Sequence, residues 1–519
     1  MTRIQDATTV VGAIGAAAAE HAALPAVVDG ADSLSYEELW RDAGRLARHL
    51  RARGVRSGDI VALAAERSPA LLVGLLGVLR AGAVVLPLDV TYPAARLRMM
   101  LDDSGAAVVV GQEHTLGPFT ADGREACVLA EVLSGEDGGE AAEELKEPDP
   151  ADGCYLLYTS GSTGGPKAVL MPHAGLANLV RWQTEASGCG PGSRTLQYGA
   201  ISFDVSLQEI FSTFASGGTL VCIDHETRRN PVRTWELVIA SRVERIFLPY
   251  VGLQSLVMVA DAVDVEAASL REIIPGGEQL QCTRALRELM ARLPGCRMFN
   301  HYGPVETHAV THHPLEADPT RWLALPPIGT AIPGNRVYVL DADGRELGVG
   351  EIGELHVAGA QVAYGYWNRP ALTAERFLPA PDGHGERMYR TGDLVRRRAD
   401  GALDFLGRAD DQVKVRGFRV ELAEVEAAVS DHPAVSACGA TVAGDEGIDR
   451  VLVAFVLAKE PLDADAVREE LRERLPDHMV PGTLTVVGSL PQLPSGKLDR
   501  RALRLMADTH LAAARNEVY

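Results

Sequence analysis

The most apolar run in the chain, residues 71–88, decides which kinds of fold are open to it. A membrane-spanning helix needs about 20 uninterrupted apolar residues, and Arg80, Gly82 and Pro87 break the run before that length is reached. It therefore reads as a buried helix, a turn at Ala81-Gly82 and then a strand. Helix-period and strand-period segments alternate in the same way over roughly the first 400 residues, with a helix over 36–53 and strands over 60–64, 106–110 and 154–158. That alternation predicts α/β layering with largely parallel sheets. Residues 134–150, rich in Glu, Gly and Asp, read as a solvated loop. A second apolar stretch at 10–19 follows Arg3, but Asp6 and the Glu20-His21 pair do not suit a secretory signal.

From residue 411 the pattern becomes a short α+β one. Strands are expected at 413–415 and 451–457, helices at 422–430 and 464–474, and the tail from 502 reads as helix-like. The expected architecture is α/β: a large N-terminal portion of packed sheets and helices over 1–408, with a smaller mobile α+β C-terminal domain over 409–519. Composition narrows the partners. Seventy acidic residues against fifty basic leave a formal charge of −20, which repels phosphate backbones and anionic lipid, so neither nucleic acid nor a membrane is expected as a partner. The seven cysteines, at 127, 154, 189, 222, 282, 296 and 438, lie far apart with no CxxC pair. That argues against a disulfide framework or a zinc site and for a reducing, cytoplasmic setting.

The chemistry concentrates first in residues 158–167, Tyr-Thr-Ser-Gly-Ser-Thr-Gly-Gly-Pro-Lys. Glycines let backbone N–H groups approach an anion, hydroxyls donate to its oxygens and a lysine adds charge, which together describe a triphosphate cradle. It is not the P-loop pattern, since Pro166 precedes Lys167 and Ala168 follows it. Taken alone, such a loop is more often a plain connection.

The string resembles, almost letter for letter, the phosphate loop of the adenylate-forming enzymes, the superfamily of acyl-CoA synthetases, luciferases and adenylation domains of nonribosomal peptide synthetases. Further matches follow in that family's order at 34–39, 80–89, 300–307 (Asn-His-Tyr-Gly-Pro-Val-Glu-Thr), 389–393 (Tyr-Arg-Thr-Gly-Asp), 407–414 and 493–500. The resemblance implies ATP and Mg²⁺ as cofactors and a carboxylate attacking the α-phosphorus to give an acyl-adenylate and pyrophosphate. It assigns phosphate binding to Ser160, Gly161, Ser162, Thr163, Gly164 and Lys167, with Thr159, Glu306 and Lys497 catalytic. Asn300 and Tyr302 would hold adenine, and Glu306 would supply a hard oxygen to Mg²⁺. Asp393 would accept from the ribose hydroxyls, Arg408 and Arg419 would reach ribose or phosphate oxygens, and Phe405 would border the nucleotide. Asp410 would be the hinge about which the small domain rotates, and Lys497 would bridge the substrate carboxylate and the phosphate. Gly165, Ala168, Val305 and Ala358 depart from the family pattern, Val305 by removing a hydroxyl from the phosphate-facing side.

Residues 203–206, Phe-Asp-Val-Ser, resemble the amino-acid-activating branch, in which the aspartate, here Asp204, pairs with the substrate ammonium. The other reading of Asp204 is a cap for the helix that starts near Ser206. The resemblance carries the rest of the amino-acid pocket to Phe203, Val205, Gln208, Val251, Ile274, Gly276, Gly277, His301, Ala309 and Val310, closed by Lys497. This lining, small and mostly apolar, resembles that of proline-activating domains; Gly276 and Ala309 widen it, and the choice between an α- and a β-amino acid stays open. No Gly-Gly-x-Ser attachment site follows, which suggests a free-standing enzyme that hands its aminoacyl group to the phosphopantetheine thiol of a discrete carrier protein. A β-amino-acid-activating enzyme, an amino or carboxylic acid CoA ligase and a catalytically weak nucleotide-binding scaffold are the alternatives.

Overall fold

The computed structural model describes residues 8–120, 123–135, 145–161, 165–381, 386–409, 412–444, 447–492 and 498–516. The apolar run folds as helix Pro69–Arg80 and strand Val84–Leu88. Ser68 accepts from the Leu71 N–H at the helix start, Pro69 takes the first turn, and Gly82 leaves it at φ +77°. Strand Ile60–Ala64 beside it is buried along its whole length. Val61 and Leu63 face one core cluster while Ile60, Ala62 and Ala64 face another, so the strand is covered on both sides and reads as a continuous apolar run.

Among the described residues, two large sheets enclose a helical layer. One has seven strands in the order Gly365–Tyr366, Lys167–Pro172, Gly153–Thr159, Val84–Leu88, Ile60–Ala64, Val108–Gly111 and Glu125–Val128. The other has nine, with Arg194–Leu196, Arg245–Pro249, Glu272–Gly276 and Arg297–Tyr302 running parallel through its middle. Helices Tyr36–Ala52, Pro69–Arg80, His173–Ala186 and Asp204–Ala215 pack between the sheets. Helix Val10–Glu20 joins them with Val10, Ile14 and Ala17 fully buried, so the early apolar stretch is core.

The third sheet differs from the largely parallel expectation. Strands Asn335–Leu340, Ile352–Gly359, Phe377–Pro379, Arg387–Arg397 and Leu403–Arg408 are all antiparallel; most connections are short, and the longer one after Gly359 carries strand Gly365–Tyr366 and helix Pro370–Arg376. Beyond it, strands Gln412–Val415 and Phe418–Glu421 form a hairpin whose turn residues Arg416 and Gly417 both have positive φ, +51° and +86°. Helix Leu422–Ser430, the three-stranded sheet of Val435–Ala443, Val451–Ala458 and Thr483–Val486, and helices Ala464–Arg472 and Arg500–Asn516 complete a small α+β body. No helix among the described residues is long and apolar enough to cross a membrane.

Leu63 is fully buried against the helix that follows it, beside Gly74. Leu63→Ala is expected to destabilise the N-terminal portion by about 2–5 kcal/mol through loss of burial and the cavity left behind. An unchanged midpoint in denaturant-induced unfolding would contradict the packing described.

Candidate active site

Three parallel strands of the nine-stranded sheet, Arg245–Pro249, Glu272–Gly276 and Arg297–Tyr302, end on one side of it. Their carboxyl ends open a crevice of the kind α/β folds use for ligands. The phosphate loop arrives from the other large sheet as the tip of a hairpin in which Thr159 pairs with Lys167. A Cβ on Gly161 would sit 1.8 Å from the Gly165 carbonyl, so only glycine lets the loop close there. Ser162, Thr163 and Gly164 lie outside the described residues, as do Asp410 and Lys497.

Two cavities meet in this crevice. One, of about 130 Å³, is bordered by Thr159, Ser160, Tyr302, Val305, Asp393 and Arg419. Asp393, almost fully buried, accepts from Arg408 Nη1 at 2.7 Å and from the Tyr302 hydroxyl. Burial, reinforced by the adjacent Asp393 carboxylate, pushes the Tyr302 phenol far above its ordinary range, so it stays a donor. Phe405 stands 6.3 Å from the Tyr302 ring and borders a neighbouring cavity with Arg408. Asn300 is committed elsewhere: its Nδ2 donates to the Pro327 carbonyl at 2.9 Å, and it borders neither cavity.

Glu306 has no exposed surface. It accepts from Arg419 Nη1 at 2.9 Å and Tyr366 Oη at 2.8 Å, with Lys167 Nζ 3.9 Å away. Burial pushes this carboxyl up, but the Arg419 and Lys167 charges outweigh it and hold it at about 2. Lys167, buried and beside Arg419, is pulled down to about 8 despite Glu306 and Glu421. Among the described residues no three His, Cys, Asp or Glu side chains cluster as a metal cage. One hard carboxylate beside a phosphate loop nevertheless suits Mg²⁺, which takes one or two carboxylates and completes its shell with phosphates and water.

The other cavity, of about 300 Å³, includes Val205, Gln208, Val251, Ile274, Gly276, His301 and Ala309. Phe203, Asp204, Gly277, Gly303 and Gly417 border both cavities and mark where they join. Asp204 is the first residue of helix Asp204–Ala215, and its Oδ1 accepts the Val205 N–H at 2.8 Å; Oδ2 lies 4.0 Å from His308 Nδ1. One carboxylate oxygen thus serves the helix start, and the side chain also faces the junction. Gln208 Nε2 contacts Gln183 Oε1 at 2.9 Å and His301 Nδ1 at 3.3 Å, and burial pushes His301 well below its ordinary range, so this wall is neutral. A Cβ at Gly276 would meet nothing within 4 Å. Val310 borders neither cavity and packs with Ile328, Val339 and Leu355.

The C-terminal body closes the crevice partly through residues the sequence does not single out, Arg96, Glu278 and Glu424. Glu278 accepts Gly417 N–H at 2.7 Å and Val251 N–H at 3.2 Å, strapping the 412–421 hairpin to the junction. Glu424 pairs with buried Arg96 and accepts the Gly161 N–H at 3.0 Å, while Ser160 Oγ donates to the Arg419 carbonyl at 2.9 Å. Only Glu278 has a local signal, a carboxylate directly after two glycines at a strand end.

The family model for AMP-binding enzyme matches residues 15–367, and that for the AMP-binding enzyme C-terminal domain matches 424–497. The chain belongs to the AMP-binding enzymes. It is an ATP- and Mg²⁺-dependent, adenylate-forming ligase of the nonribosomal peptide synthetase adenylation-domain type. It is 38% identical over 479 residues to tyrocidine synthase 2 of Brevibacillus parabrevis, covering 92% of this chain and 13% of that protein. Against phosphinothricin tripeptide synthetase PhsB of Streptomyces viridochromogenes the figures are 41% over 492 residues, 92% and 40%. The chain therefore spans well under half the length of these relatives. Holo-PA1221, an NRPS protein containing adenylation and PCP domains bound to a vinylsulfonamide inhibitor, superposes with a TM-score of 0.84 at 28% identity, over 97% of this chain and 85% of that one. NpsA-ThdA, an artificially fused adenylation-PCP di-domain from Klebsiella oxytoca, gives 0.81 at 25%, over 92% and 93%.

In this adenylate-forming enzyme Gly161→Ala forces the phosphate loop open. The expected result is a drop on the order of 10²-fold in kcat/KM for ATP, from misplaced phosphate donors. It is measured by ATP–pyrophosphate exchange, and wild-type kinetics would show that the tight closure at Gly161 is not needed.

Proposed function

We propose that the chain activates an amino acid with ATP, releasing pyrophosphate, and passes the aminoacyl group from AMP to the phosphopantetheine thiol of a carrier protein. The substrate read from the pocket is proline or another small apolar or cyclic amino acid. The observation that carries this reading is Asp204, the one carboxylate at the junction of two cavities, one with a neutral inner wall of Val205, Gln208, Ile274, Gly276, His301 and Ala309 and the other beside the phosphate loop. Its free oxygen takes the substrate ammonium, which needs a carboxylate partner once it leaves water. That places the substrate carboxylate toward the nucleotide cleft. The apolar and neutral groups of Val205, Gln208, Ile274, Gly276, His301 and Ala309 then accept an uncharged side chain. The open space over Gly276 leaves room for a ring larger than that of proline or for a β-amino acid.

In the nucleotide cleft, Asp393 exchanges its bonds with Tyr302 and Arg408 for the ribose hydroxyls. Tyr302 presents an apolar face to adenine. The backbone N–H of Gly161, bound here to Glu424, and the hydroxyls of Thr159 and Ser160 turn to phosphate oxygens. Glu306 would hold Mg²⁺, which when bound supplies charge stabilisation to the transferring phosphoryl group. Arg419 covers Glu306 in the arrangement described, and Gly417 lies at the junction, which supports reading this arrangement as the thiol-accepting one. Rotation at Asp410 would withdraw this hairpin and bring in Lys497 for adenylation.

The test is amino-acid-dependent exchange of pyrophosphate into ATP across proline, pipecolate, small aliphatic α-amino acids and β-amino acids. Signal is expected with at least one small apolar or cyclic member; silence across the whole panel would overturn the reading. Asp204→Asn keeps the shape and removes the charge, and is expected to lower kcat/KM for the amino acid by about 10²- to 10³-fold with the KM for ATP little changed. Val305→Thr returns a neutral donor to the phosphate-facing side and is expected to raise the exchange rate about fivefold, the worth of one hydrogen bond; a slower variant would show that Val305 serves packing instead.

A further inference from the structure

The inner wall of the amino-acid cavity is apolar except at two side chains. Val205, Ile274, Gly276 and Ala309 offer no side-chain hydrogen-bonding atom, whereas Gln208 and His301 do, and both are more than nine-tenths buried. Their polar atoms can be accounted for one by one. Gln208 Nε2 spends its two hydrogens on Gln183 Oε1 at 2.9 Å and His301 Nδ1 at 3.3 Å. An amide nitrogen only donates, so Nδ1 is the acceptor, and a neutral imidazole then carries its proton on Nε2. Burial, reinforced by the neighbouring His312, keeps the ring neutral. Packing fixes its direction: the Trp182 and His312 rings stand 5.2 Å from it, centroid to centroid, and Phe299 6.4 Å. Two atoms are left over. Neither Gln208 Oε1 nor His301 Nε2 has a hydrogen-bond partner among the described residues, and neither is sealed from solvent-sized space, which for side chains this buried is the cavity they border.

The wall thus presents one acceptor and one N–H donor to whatever fills the cavity. A purely hydrocarbon occupant would strip water from both and leave them unpaired, which is the costly case for buried polar groups. A hydroxyl is the smallest neutral group that can both donate and accept. We propose that the amino acid taken by this pocket carries a hydroxyl on its side chain or ring, read by Gln208 Oε1 as acceptor and His301 Nε2 as donor. This rests on the amino-acid-activation reading above and deepens it, since the uncharged side chain is then hydroxylated and not wholly apolar. Asp204 and Gln208 are four residues apart on one helix, hence on the same face, so an occupant with its ammonium on Asp204 carries its side chain past Gln208. The open space over Gly276, in a cavity of about 300 Å³, leaves room for the added group.

Substrates that differ only by hydroxyl against methyl test this wall at nearly constant shape: cis- and trans-4-hydroxyproline against the 4-methylprolines, threonine against valine, and 3-amino-4-hydroxybutanoate against 3-aminopentanoate. On the full wild-type chain, ATP–pyrophosphate exchange is expected to favour the hydroxyl member of at least one pair by about 10- to 100-fold in kcat/KM. Titration calorimetry with the same free amino acids is expected to show the preference in Kd. Gln208→Leu and His301→Phe are each expected to reduce or abolish it by weakening the hydroxyl member alone, whereas a merely structural role would lower both members equally. No preference for the hydroxyl in any pair by either measurement, or a preference that survives unchanged in both variants, would overturn the inference. The wild-type comparison decides by itself if a variant fails to fold. Hydroxyl-selective binding without exchange would defeat the activation reading and leave the pocket reading standing. Exchange without hydroxyl selectivity would do the reverse, so the two failures are distinguishable.

Discussion

A buried carboxylate needs compensating charge, and Glu306 is the one around which this crevice is organised. It ties together Lys167 from the phosphate-loop hairpin, Tyr366 from the edge of the seven-stranded sheet and Arg419 from the C-terminal body. Removing either cation leaves Glu306 with a single charged partner in low dielectric and weakens its compensation. Withdrawing the C-terminal body takes Arg419 off Glu306 and favours a second cation in its place. Under the proposed function Glu306 would hold Mg²⁺ there, and the ion would supply positive charge to the phosphates.

Glu424 extends the same logic. Its carboxylate accepts the Gly161 N–H, in the loop proposed to hold phosphates, and its other oxygen is paired with Arg96. An anion from the small domain therefore sits against the loop while a cation from the same domain sits on Glu306. The two large sheets keep this arrangement in register: the loop is anchored by strand pairing on one sheet, while Gly277 and Tyr302 stand at the carboxyl ends of strands of the other and Asp204 starts the helix beside them.

Much of the framework was legible in the sequence because it is local. The 71–88 run, the loop glycines and the Asp204 helix start each depend on neighbours within a few residues, where periodicity and turn chemistry act. The contacts that close the crevice were not legible, because Arg96 and Glu424 are 328 positions apart and nothing local to either marks the partnership. Asn300 and Val310 show the converse. Both are positions the resemblance carried over, yet Asn300 is drawn to the Pro327 carbonyl and Val310 into the core, since each sits on a chain segment whose neighbours across the fold take up the side chain first. The antiparallel sheet over 335–408 escaped for a related reason: strand direction is set by pairing between segments, as between Ile352–Gly359 and Arg387–Arg397, which hydropathy periodicity along the chain does not register.

The central claim is that Asp204 marks the point where an amino acid meets a nucleotide. A crystal structure with a hydrolysis-resistant analogue, prolyl-sulfamoyl adenosine, tests it most directly. The account predicts the ring nitrogen within hydrogen-bonding distance of Asp204, the ribose hydroxyls on Asp393 in place of Tyr302 and Arg408, and the sulfamate at the junction beside Gly277. A prolyl group bound away from Asp204, or a ribose that leaves the Asp393 bonds to Tyr302 and Arg408 intact, would contradict it.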